Sequence, residues 1–486
     1  MNTALPARPR PESLAAQSTR LDLVGLMLAA LVLYTVNVDF TLYGDAGMYA
    51  DYVVLRKFDE VTLHLGYYLL VFLGDKVLGG LFGIPIPETE VWLNVVAGTL
   101  SVGVAYLLAR ELFGARREAL LCAMIFGLSG RVFNNATSSE MYMVQTLCVL
   151  TSFYLFVRER IVLSGIVCGM ALLVSPLSAF AYLFYPVYDF QRSGTIRWAV
   201  LFRLAAAGLL VYLPYLIVDG HELLFGVRGL LTIHKLVRFD PLASLAHFPT
   251  YQFKAFTVLS VLLIPAVMAW RANRRVFILA LAVGIPHLYI ILKLTGEDHV
   301  FILNSDFFYA CCLVIGWRQM QTWKIGRVVA PLLLVAHVGL YVASGIIHTF
   351  QPHRDYADEL RRVARTYLTG RNSIIVTDWG RAVALTFYGR PKPTTTVLMD
   401  SLFQHQIYDV EGEPLQPITY LDRPEVYLLD AWTPSPLNHL LRSQAALENF
   451  RQQNSILGIA RREFKLDCSL IEVTTHRIYR CVRRKA

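Results

Sequence analysis

Apolar runs separated by short polar stretches dominate the chain up to residue 348. A helix needs about 20 residues to cross the ~30 Å hydrocarbon core of a bilayer, and most of these runs approach that length. The pattern therefore predicts a polytopic α-helical membrane protein with about 11 transmembrane helices. The predicted spans are 22–40, 91–109, 118–133, 141–157, 161–175, 177–190, 199–218, 251–270, 276–293, 305–317 and 328–348.

Two segments decide this count. Residues 161–190 form one apolar run, which as a single helix would extend about 45 Å and exceed one crossing. Pro176 lies in its middle, and proline disfavours helix at the residue before it, so we expect a hairpin of two short helices.

Residues 64–83 are also apolar but carry Asp75 and Lys76 in mid-run. We interpret them as an amphipathic helix on the outer membrane surface, because another crossing would invert every later loop.

Composition and charge agree with this reading. The mean hydropathy is +0.47 and only 17% of the residues are charged, more apolar surface than a water-soluble core can bury. The net charge of +9 comes mostly from Lys and Arg in short loops, which indicates orientation in a membrane rather than binding to nucleic acid. The first span lacks a small-residue cleavage site, so we expect it to be retained. The positive-inside rule then predicts a cytoplasmic amino terminus and long external loops at 41–90 and 219–250.

The pattern changes after residue 348. Short β-rich runs such as SIIVTDWG and EVYLLDAW follow a helical stretch, DYADELRRVARTYL, which together predict an α/β domain. We therefore divide the chain into a membrane domain, 1–348, and an extracytoplasmic domain, 349–486.

Two acidic residues lie in the predicted external loops. Asp45, in TLYGDAGMYADYVVLRKFDE, is flanked by Gly44 and Gly47, which leave room for a ligand beside the backbone. Glu140, in NNATSSEMYMVQ, lies where the chain re-enters the membrane. The alternatives are that Asp45 only solvates a helix end and that Glu140 is a first-turn residue favoured by the helix dipole. Two carboxylates at one membrane face also suit the deprotonation of an acceptor, or the binding of a cation, beside a lipid-borne donor.

The order of several short motifs carries a resemblance over about residues 22–190. The motifs are GDAGMYADY, HLGYYLL, ARELFGARREALL, SSEMY and LLVSPLSAF. In this order they resemble the GT-C superfamily of membrane glycosyltransferases, of the protein O-mannosyltransferase and lipid A aminoarabinose transferase type. The resemblance implies that Asp45 is the catalytic carboxylate, that Glu140 helps to shape the site, and that His64 lies near the lipid phosphate. The chain departs from the family pattern at Ala46, where a paired acid is absent.

The implied reaction is transfer of a sugar from a polyprenyl phosphate donor to a glycan, lipid or protein acceptor at the outer face of the cytoplasmic membrane. Asp45 would act as general base on the acceptor hydroxyl. No cofactor is assigned, and a divalent metal remains compatible with the acidic site. The leaving phosphate needs positive charge, for which the external segments offer Arg56, Lys57, Arg131, Arg228, Lys235 and Arg238. Anchoring to anionic membrane lipid is the alternative role for these basic residues.

Two other classes of function stay open beside a transferase. One is a transporter or flippase of lipid-linked saccharides, and the other is a noncatalytic assembly subunit. Transporters usually place ionisable residues near the middle of spans and often contain repeated halves, and the sequence shows neither pattern clearly.

The carboxy-terminal stretch CSLIEVTTHRIYRC predicts a disulfide-bonded hairpin. If a turn at Thr474 and Thr475 pairs Val473 with His476, then Cys468 lies opposite Cys481, within the Cα separation that a disulfide spans. A register shifted by one residue would leave both thiols free. A disulfide would agree with the external position of this domain, because such bonds persist in oxidising compartments.

Overall fold

The computed structural model describes most of the membrane part and separate pieces of the carboxy-terminal part. The described residues are 11–40, 50, 53, 64–236, 252–293, 302–343, 355–367, 373–376, 385, 396–401, 406–409, 414–415, 426–430, 466–473 and 477–483.

Helices make up almost all of the described structure before residue 344. The α-helices are α1 (Pro11–Thr35), α2 (Leu65–Gly74), α3 (Ile86–Phe113), α4 (Arg116–Gly127), α5 (Gly130–Thr137), α6 (Tyr142–Val157), α7 (Ile161–Val174), α8 (Phe184–Ser193), α9 (Trp198–Leu236), α10 (Leu263–Met268), α11 (Arg274–Lys293), α12 (Leu303–Gln321) and α13 (Gly326–Ala343). A π-helical segment (Asp75–Gly79) and one further turn (Gly80–Phe82) extend α2. Three 3-10 segments occupy Pro176–Ala181, Thr257–Leu262 and Trp270–Asn273.

Several of these helices are long and apolar enough to cross a bilayer. Within the described residues five segments meet that test, and two bent helix pairs raise the number to seven. The five are Ser18–Thr35, Leu65–Phe82, Ile86–Phe113, Trp198–Ile217 and Gly326–Ala343. The expectation of a multi-pass membrane protein is thus confirmed, whereas eleven crossings remain a prediction. Because Leu65–Phe82 passes the same test, its length and apolarity are compatible with a crossing as well as with the interfacial position expected for it.

The helix α3 is the centre of the bundle. Of its span, 67% is buried inside the protein, compared with 11% of the span in α1 and 28% of that in α9. Surface residues of the outer helices are correspondingly apolar, as lipid-facing residues should be, for example Phe202 and Ile217. The site residues described below are therefore positioned mainly by α3 and the helices packed on it.

The predicted hairpin at Pro176 is present. The helix α7 ends at Val174, Ser175 adopts an extended conformation, and Pro176 begins the 3-10 segment that leads into α8. The second arm, predicted as one span at 177–190, is therefore two short pieces. The residue before a proline avoids the α-helical region, which explains the location of the break.

Two other spans differ from their predicted form. The run 118–133 is split into α4 and α5, which are bent by 60°. Ser129 caps α5 by accepting a hydrogen bond from the Val132 amide at 3.3 Å. The helix α9 continues past the predicted end at residue 218 to Leu236, so the segment predicted as an external loop at 219–250 begins as a helical extension.

The carboxy-terminal part contains a seven-stranded mixed sheet. Its strands are β1 (Ser373–Val376), β2 (Thr396–Ser401), β3 (Gln406–Asp409), β4 (Pro414–Leu415), β5 (Val426–Asp430), β6 (Leu466–Val473) and β7 (Arg477–Arg483), in the order β4-β3-β2-β1-β5-β7-β6. The strand β1 pairs parallel with β2 and β5, and the other pairs are antiparallel. A helix, α14 (Asp355–Tyr367), joins the sheet through an ion pair of 2.6 Å between Arg362 and Glu472.

The predicted disulfide is confirmed. Cys468 and Cys481 are bonded and lie directly opposite each other on β6 and β7. The predicted pairing of Val473 with His476 is wrong, because Val473 lies opposite Arg477. A bulge between Leu470 and Glu472 shifts the register by one residue on the turn side of the cysteines. Because of the bulge, the cysteines pair as predicted, whereas the residues next to the turn pair one position away from the prediction.

Candidate functional site

One end of the helix bundle brings together the segments that surround the predicted site. The Asn94 side chain on α3 donates a hydrogen bond to the Ser138 carbonyl at 2.8 Å, and the Asp39 amide donates to the Thr137 carbonyl at 2.7 Å. Residues 41–63 include Asp45, and the residues on either side of this segment attach here. Asp39 is bonded at the end of α5, and His64 is bonded at the end of α7. Asp45, Arg56, Lys57 and Arg238 themselves lie outside the described residues.

Glu140 lies in the short connection between α5 and α6. It is half-buried, and α6 begins two residues later at Tyr142, with no acidic residue in its first turn. Neither Ser138 nor Ser139 caps this helix, since its N-cap is Met141 without a side-chain hydrogen bond. The alternative explanation of Glu140 as a first-turn residue is therefore wrong.

Glu90 is a second carboxylate at this end that the sequence interpretation missed. It is fully buried on α3, and both of its carboxylate oxygens lack a hydrogen-bond partner among the described residues. The charges of Glu90 and Glu140 interact, and both interact with the Tyr67 hydroxyl on α2. A buried carboxylate without a partner is costly unless a proton or a cation neutralises it. The pair is therefore a candidate acidic subsite.

Glu90 escaped attention because the predicted span began at residue 91, which left it at a solvated helix end. The helix in fact begins at Ile86, after Pro85, and carries Glu90 one turn into the bundle. Proline in the first turn of a helix is a common start signal, and Pro87 was the available clue to this earlier start.

His64 lies at the N-cap position of α2. Its ring Nδ1 donates a hydrogen bond to the Val174 carbonyl at 2.9 Å, at the break after α7. Burial lowers the pKa of His64 to about 4, although the hydrogen bond to Val174 opposes the shift. The imidazole is thus neutral at pH 7, with Nδ1 protonated and Nε2 as an acceptor. Contact between Nε2 and a phosphate would require a second proton on the ring.

Arg131 is paired inside the protein. Its guanidinium is completely buried and forms an ion pair with Asp306 on α12, which is equally buried. The neighbouring Gly130 amide donates to the Tyr341 hydroxyl on α13 at 2.6 Å, so α5 is bound to two helices at this point. The predicted phosphate role of Arg131 is corrected to a structural one, because its charge is already compensated in a place closed to solvent.

Arg228 and Lys235, the remaining candidates for phosphate binding, lie on the extension of α9 beyond the bilayer-spanning window Trp198–Ile217. Their backbone is helical, as expected for an interfacial segment. Their phosphate role remains a prediction.

A chain of buried polar groups connects α6, α12 and α11 in the bundle. The Thr146 hydroxyl donates to Asn304 Oδ1 at 3.1 Å, Asn304 Nδ2 lies 3.5 Å from His287 Nε2, and His287 Nδ1 donates to the Val283 carbonyl at 2.7 Å. These contacts give each group the partner that it needs, with His287 as the neutral tautomer protonated at Nδ1. The sequence did not single out these residues, since each is isolated in an apolar run.

No metal centre is formed by the residues that the structure describes. Within those ranges, no group of three or more His, Cys, Asp or Glu side chains is arranged to hold an ion. Of the residues described at this end, the acidic pair Glu90 and Glu140 supplies two such ligands.

Comparison with known proteins relates this arrangement to a family of enzymes. No protein-family model matches the chain. The undecaprenyl phosphate-alpha-4-amino-4-deoxy-L-arabinose arabinosyl transferase of Pseudomonas aeruginosa strain LESB58 is 32% identical over 180 residues, which are 33% of this chain and 30% of the relative. The match thus spans less than a third of the curated relative.

Solved structures match along nearly the whole chain. ArnT from Cupriavidus metallidurans in the apo state has a TM-score of 0.55 at 13% identity, covering 96% of this chain and 98% of that chain. The same protein bound to undecaprenyl phosphate gives 0.55 at 15% identity, covering 94% and 97%. The apo oligosaccharyltransferase of Archaeoglobus fulgidus gives 0.55 at 11% identity, covering 80% and 65%.

The chain shares the fold of ArnT and of the archaeal oligosaccharyltransferase, which are members of the GT-C superfamily. The resemblance expected from the motifs between residues 22 and 190 is thereby confirmed. At these identities the solved structures define the fold alone, so the substrates and residue roles of this chain require their own arguments.

Proposed function

We propose that this protein transfers a sugar from a polyprenyl phosphate donor to an acceptor at the outer face of the cytoplasmic membrane. The observation that carries the proposal is the 32% identity, over 180 residues, to a transferase whose name specifies an undecaprenyl phosphate-linked sugar. The fold match to ArnT, which has been solved with undecaprenyl phosphate, supports it over almost the full length. The identity of the sugar and of the acceptor lies beyond this proposal.

In the proposed reaction, an acceptor hydroxyl oxygen attacks the anomeric carbon of the donor. The new glycosidic C–O bond forms while the bond from that carbon to the phosphate oxygen breaks, and polyprenyl phosphate leaves. Asp45 takes the hydroxyl proton, a contribution of typically 10²–10⁴-fold for a positioned general base. The arrangement of Asp39 and His64 supports this role, because the residues that flank the Asp45 segment attach to Thr137 and Val174, at the end of the bundle that carries Glu140.

The acids that the structure describes have a supporting role. Glu140 places negative charge at the edge of the site, next to the buried Glu90. This negative charge stabilises the oxocarbenium-like carbon of the transition state. It also disfavours the binding of a second anion beside the donor phosphate. Among the basic candidates, the leaving phosphate is assigned to Arg56, Lys57, Arg228, Lys235 and Arg238, with His64 contributing when it is protonated.

A transporter or flippase of lipid-linked saccharides is the second candidate. The observation in its favour is the presence of ionisable or polar residues inside membrane helices, namely Arg131, Asp306 and His287, which transporters often use. These groups contact partners within the bundle, as expected of residues that hold helices together. The transferase is therefore favoured.

Reconstitution into liposomes separates the two functions. Purified protein is supplied with a panel of radiolabelled undecaprenyl phosphate-linked pentoses and hexoses, together with cell-envelope acceptors, and covalent transfer is followed by chromatography. Asp45→Asn should abolish transfer and retain donor binding, whereas Asp51→Asn in the same segment is the matched control and should stay active. Wild-type turnover by Asp45→Asn would refute the assigned base. Movement of intact donor across the bilayer without transfer would refute the transferase in favour of the flippase.

A further inference from the structure

A large apolar cavity lies between α7, α8 and α9. Its volume is about 470 Å³. Its walls include Cys168 and Leu172 from α7, Tyr182 and Tyr185 from the second arm of the hairpin, and Ala205 and Leu209 from α9. No residue assigned to catalysis or phosphate binding is among these lining residues.

The polar atoms in the wall are used within the protein. The Tyr182 hydroxyl donates to the Cys168 carbonyl at 2.8 Å, and the Tyr185 hydroxyl lies 2.6 Å from the Ser152 hydroxyl on α6. The tyrosines therefore present mainly their rings to the cavity. A guest that fits this surface is a hydrocarbon rather than a sugar, a nucleotide or an ion.

The cavity opens on the side of a membrane-spanning helix. Ala205 and Leu209 lie within the bilayer-spanning window Trp198–Ile217 and are exposed in the described structure. The cavity is therefore accessible from the hydrocarbon core of the bilayer, where lipid chains are the abundant apolar molecules.

Close helix packing next to the cavity prevents it from closing. An added Cβ at Gly165 or Gly169 of α7 would collide with the carbonyls of Leu204 and Gly208 on α9, so the two backbones are already in contact. The helix α9 cannot move further towards α7 to fill the space. A guest that binds in this space stabilises the folded protein by mass action.

The position of the opening identifies the guest. Phospholipids are the abundant lipids of the bilayer, and an acyl chain can enter beside Ala205 and Leu209 while its headgroup stays at the membrane interface. We propose that the cavity is a binding site for one acyl chain of a membrane phospholipid. The proposal stands independently of the transferase assignment.

Lipid retention tests the site. Wild-type protein purified in mild detergent should retain one phospholipid per chain after extensive washing, measured by native mass spectrometry and by extraction. Ala205→Trp places an indole in the opening and should lower retention at least 10-fold. Leu210→Trp adds the same side chain on an exposed, non-lining position of α9 and should retain the lipid. Equal retention by the two variants, a wild type without phospholipid, or a retained polyprenyl lipid would overturn the proposal.

A measurement without substitutions covers the case in which Ala205→Trp fails to fold. Wild-type protein is reconstituted with a phospholipid that carries a photoreactive diazirine near the end of one acyl chain, and the crosslinked peptides are sequenced. Crosslinks should concentrate in 168–172, 182–186 and 201–212, which contain the lining residues. An even distribution over the exposed faces of α1 and α13 would show an ordinary lipid boundary and refute a specific site.

Discussion

Removing the guanidinium of Arg131 should leave Asp306 as a buried carboxylate without its cation. Both side chains are completely inaccessible to solvent, and Asp306 Oδ2 has no other hydrogen-bond partner among the described residues. Breaking one side of such a buried pair costs about 3–5 kcal/mol, mostly because the remaining charge is uncompensated. Arg131→Met should therefore lower the stability of the folded protein by about that amount.

The double variant Arg131→Met/Asp306→Leu distinguishes the ion pair from simple loss of packing. Replacing both charges by apolar side chains of similar volume is often neutral, so it should recover most of the stability lost in Arg131→Met. Thermal unfolding of the detergent-solubilised protein, followed by intrinsic fluorescence, provides the assay. The exposed pair Arg158 and Glu111, 3.0 Å apart, is the matched control, and Arg158→Met should cost at most ~1 kcal/mol. A double variant as unstable as Arg131→Met would refute the reasoning.

Donor binding in the same double variant tests the corrected role of Arg131. If Arg131 is structural, the folded double variant should bind a polyprenyl phosphate donor with wild-type affinity. A direct guanidinium–phosphate contact would instead make its loss visible as a 10-fold or greater rise in Kd, which corresponds to about 1.4 kcal/mol. That result would restore Arg131 to the phosphate site.

Three further predictions concern His64, the carboxy-terminal hairpin and the topology. The pKa of His64 is about 4 in the folded protein, below its ordinary value of 6.5, so the unfolded chain binds the extra proton first. The free energy of unfolding of the wild type should fall as the pH drops from 6.5 towards 4. His64→Asn keeps a hydrogen-bond donor for Val174 and should show a smaller dependence on pH. Equal slopes of stability against pH in the two proteins would contradict this prediction. In denatured protein, Cys468 and Cys481 should react with a thiol label only after reduction, and labelling without reduction would contradict the disulfide. Replacing both cysteines by serine should lower the free energy of unfolding by about 2–4 kcal/mol. In intact cells, tags near Ser193 should be protected from an external labelling reagent, and tags near Gly412 should react with it. Protection of the tag at Gly412 would show that the number of crossings is off by one.

Local chemistry explains which features of the fold the sequence predicted well. Pro176 disfavours helix at Ser175, so the hairpin break was readable from one residue. The apolar runs showed where lipid-covered helices lie, because lipid offers no partner to an exposed backbone. The bend after α4 was missed because no proline marks it, and Gly127, Ser129 and Gly130 were included in the predicted span although they are turn and capping residues.

The site was less predictable because its contacts join residues that are distant in sequence. Arg131 and Asp306 are 175 positions apart, and nothing near either residue signals the other. Because it lies near the external end of the predicted span 118–133, Arg131 was interpreted as a free cation, and only its contact with Asp306 on α12 shows that its charge is compensated. A charged residue near a membrane boundary can serve either role, and the tertiary contacts decide between them.

Glu90 shows how an error of a few residues in a helix boundary changes a functional interpretation. With a helix start at residue 91, Glu90 would be a solvated end, whereas the start at Ile86 places its carboxylate in the buried interior next to the charge of Glu140. Burial without a partner is the expensive state for a carboxylate, so Glu90 must be neutralised by a proton or by a cationic group. Glu90→Gln keeps the shape and removes the charge, and Glu90→Ala removes both. If Glu90 serves only packing, Gln should preserve transfer and Ala should lower it through stability alone; if its charge acts on the donor, Gln should lower transfer while the thermal stability is unchanged or raised.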